Sequence, residues 1–100
     1  MKLEQTWIEQ LKMSGWIAEQ AVATGQGVLT LKTQYVQSHG LFLDNNCFFC
    51  DYAHEHGGCI SACPARLVKP DFHCCEEAYN YGAKPVEFFA ELKRLNDVRS

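Results

Sequence analysis

One hundred residues, 47% hydrophobic and 21% charged with three prolines and no biased tract, suffice for a single globular domain with a modest core. The net charge of −3 is unevenly spread, with −1 over residues 1–46, −3 over 47–83 and +1 over 84–100. An acidic middle argues against nucleic-acid binding there, because neutralising phosphates needs a basic surface, and no run approaches the roughly 18 apolar residues of a membrane span.

Met1-Lys2-Leu3-Glu4-Gln5-Thr6-Trp7 lacks the unbroken apolar run of a signal peptide, so a cytoplasmic protein with reduced thiols is expected. Residues 2–24 read as a helix: Leu3, Trp7, Leu11, Ser14, Ala18, Ala21 and Val22 follow three-and-four spacing, and Gly25 is its stop. Gly15 is the weak point, costing about 1 kcal/mol against alanine in a helix interior, and a break at Ser14-Gly15 is the alternative. Ile8, Trp16 and Ile17 lie off this stripe, so the helix is apolar on more than one side.

Residues 28–36 are rich in β-branched side chains, which favours a strand. Val28, Leu31, Tyr35, Val36 and His39 also form a helical stripe ending at Gly40, and helix is the expectation, with a minor β-hairpin as the alternative. Asp44-Asn45-Asn46 is a turn leading to Cys47. Further on, Asp71 can cap a helix over 72–81 ended by Gly82. Pro85 then opens a last helix over 85–97, with Phe88, Phe89, Leu92 and Leu95 on its apolar side. The expected fold is one mainly α domain over 1–100: a helical part at 1–46, a Cys-rich loop at 47–75 and a helical part at 76–100.

All six cysteines lie between Cys47 and Cys75. Cys47-Phe-Phe-Cys50 is a Cys-x-x-Cys pair, whose tight turn aims two thiolates at one point about 2.3 Å from a zinc ion. Cys59 and Cys63, one residue further apart, form a second pair, and Gly57-Gly58 helps the chain turn back between them. Cys74 rivals these for one of four positions, so the candidate ligands are Cys47, Cys50, Cys59, Cys63 and Cys74. Cys75 lies on the Phe72/Tyr79 face and reads as a core residue. Residues 51–71 show little apolar periodicity, and zinc binding is expected to order an irregular loop. An iron–sulfur cluster, disulfides and a thioredoxin-like Cys47/Cys50 pair are the competing readings; the last would want a βαβ context that the sequence lacks.

His54 and His56, flanking Glu55, would make a hydrolytic site only around a zinc ion with an open position, and a solvated loop is their expected place. His73 reads as a neighbour of a ligand and His39 as a helix-end residue. No serine or cysteine has the context of a nucleophile, and no glycine-rich phosphate loop is present.

Cys47-x-x-Cys50, Cys59-x3-Cys63-Pro64, Cys74 and the following Tyr79 and Tyr81 resemble the pattern of small cysteine-rich zinc-binding proteins encoded by bacteriophages and prophages. The resemblance spans about residues 47–95. This chain departs from the pattern in its Cys-x3-Cys spacing and in the added Cys75. The family is largely of unknown function, so the resemblance implies a phage-type zinc protein and no reaction. The function expected is a zinc-stabilised protein-interaction module that binds and modulates or inhibits a host protein. A nucleic-acid binder using Lys93, Arg94 and Arg99 is the alternative, with a zinc-dependent hydrolase or an iron–sulfur sensor behind it.

Overall fold

The computed structural model describes residues 2–41, 47–58, 62–72 and 79–99. These residues hold helices α1 (Leu3–Thr24), α2 (Val28–Ser38), α3 (Phe48–Glu55), α4 (Pro64–Val68) and α5 (Pro85–Arg99), and no strand. Residues 28–36 are therefore helical, as the stripe indicated. Val28, Leu31, Tyr35 and Val36 are all buried on one side of α2, and this burial outweighs the β-branched preference of the segment.

Helix α1 is the axis of the domain and packs against α2, α3 and α5. It ends where expected, at Gly25, whose φ of 72° is the left-handed conformation of a helix C-cap. The buried face differs from the expected one. It runs through Thr6, Trp7, Gln10, Met13, Ser14, Ile17 and Ala18, while Val22 is 75% exposed. The spacing is as helical as that of the expected stripe and shares Trp7, Ser14 and Ala18 with it, but is rotated to include Thr6 and Gln10. Their side chains are satisfied inside: Thr6 Oγ1 donates to the Lys2 carbonyl at 2.9 Å, and Gln10 Nε2 donates to Ser14 Oγ at 2.9 Å.

Two apolar clusters flank this face. One gathers Trp7, Phe49, Phe72, Phe88, Leu92 and Leu95, with Trp7 and Phe49 edge to face at 4.8 Å. The other gathers Met13, Ile17, Val28, Leu31, Tyr35 and Phe48. The adjacent Phe48 and Phe49 thus anchor the start of α3 in both clusters. The expected irregular Cys-rich loop is helical at 48–55 and 64–68, because Phe48, Phe49 and Ala53, then Pro64 and Ala65, each find a buried seat. The expected turn at Asp44-Asn45-Asn46 lies outside the described residues. So does most of the expected helix over 72–81, at whose described ends Phe72 is non-helical and residues 79–83 form turns.

Helices α2 and α3 end alike. His39 stacks on Tyr35 at 4.1 Å and His56 on Tyr52 at 4.0 Å, and each Nδ1 lies 2.8 Å from the carbonyl of that tyrosine. A carbonyl can only accept, so each Nδ1 carries the proton and donates to the last turn of its own helix, where the Tyr35 carbonyl also accepts from the His39 amide and Ser38 Oγ. At the far end of the chain Arg99 donates to both carboxylate oxygens of Glu4, at 2.6 and 3.1 Å, and lies over the Trp7 ring at 4.7 Å. This contact fastens α5 to the start of α1. No helix among the described residues is long and apolar enough to cross a membrane.

Helix α1 does not break at Gly15. A Cβ built there would stand 2.9 Å from Phe89 Cζ on α5, so the glycine marks the close approach of two helices. Gly15→Val should therefore lower stability by about 1–3 kcal/mol in urea unfolding, through overpacking against a half-buried ring. An unchanged midpoint would show that Phe89 moves aside freely.

Candidate metal and thiol site

A helix start buried against another helix has amide donors that water cannot reach. Cys47 occupies the N-cap of α3, and its side chain makes no cap bond. The acceptor comes from α1. Gln10, 1% exposed, places Oε1 at 3.0 Å from the Phe48 amide and 3.3 Å from the Phe49 amide, and 3.5 Å from the Cys47 thiol, which donates to it. One side chain from 37 residues earlier thus closes the turn that carries the cysteine pair.

Cys50 lies in the first turn of the same helix, so the Cys-x-x-Cys spacing brings its thiol into hydrogen bond with the Cys47 sulfur. Both cysteines are half-buried and unbridged. On α2, Lys32 is buried at 7% exposure, its ammonium 4.4 Å from the centre of the Tyr81 ring. The Cys50 thiol, then the Lys32 charge and the Cys50 and Phe49 amides, outweigh burial and bring Cys47 from 9.0 down to about 6. The Cys47 proton is therefore lost more easily than that of an ordinary thiol.

The five expected ligands divide as follows. Cys47 and Cys50 are brought together. Cys63 is buried at the N-cap of α4, inside the Trp7 cluster. Cys59 and Cys74 lie outside the described residues, as do His73 and Cys75. Among the described residues no group of three His, Cys, Asp or Glu side chains could hold a metal ion. The donor chemistry of the Cys47/Cys50 pair nevertheless fits zinc, which binds deprotonated sulfur. His54 and His56 are exposed, as expected, but on α3 and at its C-cap rather than in a loop.

Gln10 and Lys32 escaped the sequence reading, whereas Tyr81 entered it only among the residues of the resemblance. Gln10 and Lys32 were both accessible through register. Gln10 falls three residues after Trp7 and four before Ser14, and Lys32 four after Val28 and three before Tyr35. A polar residue on an apolar face at such spacing is a candidate for a buried task.

Gln10→Leu should cost about 1–3 kcal/mol, because it leaves two buried amides without an acceptor. Urea unfolding measures this, and a loss within error would mean that water replaces the carbonyl. The folded-state pKa of Cys47 lies below its unfolded value. Its contribution to stability is therefore absent below about pH 6, grows as pH rises towards 9.0 and is complete above that. In metal-free protein, the stability advantage of wild type over Cys47→Ser should widen between pH 6 and 9, with thiolate ultraviolet absorbance rising from about pH 6. A constant difference would place the thiolate elsewhere.

Compared with family models, curated protein sequences and solved structures, this chain matches none of them.

Proposed function

We propose that the protein is a small helical interaction module whose Cys-rich segment holds one structural zinc ion, and that it acts by binding and modulating a host protein, as a phage-encoded inhibitor would. The observation that carries this reading is the Cys47/Cys50 pair at the start of α3, joined through Gln10 to the central helix. Two further sulfurs drawn from Cys59, Cys63 and Cys74 would complete a closed tetrahedral set, which leaves no open position for hydrolysis. Zinc would supply binding energy that fixes the 47–75 segment against the helices.

The surface supports binding to a protein better than binding to nucleic acid. Val22, Leu29, Val86 and Val98 are exposed apolar side chains, and Val22 and Val86 share a shallow cleft of about 310 Å³ with Ala21, Val28 and Pro85. Of the three cations that could serve a phosphate backbone, Arg99 is held by Glu4 and Arg94 by Glu91, while Lys93 lies over Phe89. Charges neutralised in this way release few counterions on binding nucleic acid.

Protein purified without oxygen or chelator should carry one zinc per chain by native mass spectrometry. Cobalt in its place should show intense sulfur-to-metal absorption. Chelation should lower the melting temperature by about 10 °C, corresponding to about 2 kcal/mol for a domain of this size. Metal-free protein with a melting temperature indifferent to chelator would remove the zinc from this reading. Affinity capture from host lysate, repeated with Val22→Glu, tests the partner: a specific protein lost in the variant is expected, and capture of nucleic acid instead would favour the alternative.

A further inference from the structure

We draw no further inference here: the strongest candidate, the shallow apolar cleft between the α1–α2 turn and the start of α5, edged by the exposed Val22 and Val86, belongs to the surface already described, and nothing in the structure shows what covers it.

Discussion

The carbonyl oxygen of Gln10 gathers the first two amides of α3 and the Cys47 thiol at a point that water does not reach. Without an acceptor there, α3 could not begin against α1, since each unpaired buried donor costs a sizeable part of a small domain's net stability. With it, Phe48 and Phe49 are directed into different apolar clusters, which close around them. Ser14 completes the arrangement by accepting from the Gln10 amide nitrogen, which settles the orientation of the side chain. A single polar side chain on the central helix thereby fixes where the cysteine pair stands and how it faces.

This arrangement changes what the cysteines mean. A Cys-x-x-Cys pair in a flexible loop has whatever geometry a metal imposes on it. Here the pair stands at a helix start, with its thiolate favoured by amides and by a buried lysine before any metal arrives. A lower thiol pKa suits zinc ligation, because the metal takes the deprotonated sulfur.

Three helices were legible in the sequence because each carried both periodicity and punctuation. Gly25 stops α1, Pro85 starts α5, and the Val28-to-Val36 stripe marks α2. The inward side of α1 was legible only in part: Trp7, Ser14 and Ala18 lie on the expected stripe, but Thr6 and Gln10 share the buried face while Val22 points to water. The helical character of 48–55 was hidden by the attention its cysteines attract, although Phe48, Phe49 and Ala53 give it an apolar side. The cysteine pair was found from spacing alone. Its electrostatic surroundings were not, because Lys32 and Gln10 are distant in sequence and meet it only once α1, α2 and α3 pack.

The Arg99–Glu4 contact spans 95 residues and lies beside Trp7, one of the largest fully buried side chains. Helix α5 covers the Trp7 end of α1, yet it is made after every other helix described. At about 5–20 residues per second, a ribosome needs roughly 5–20 s to travel from Trp7 to Arg99. During that interval the tryptophan end of α1 has no native lid. The core therefore closes only once α5 has been made, and until then the nascent form presents to chaperones an apolar stripe that the folded domain conceals.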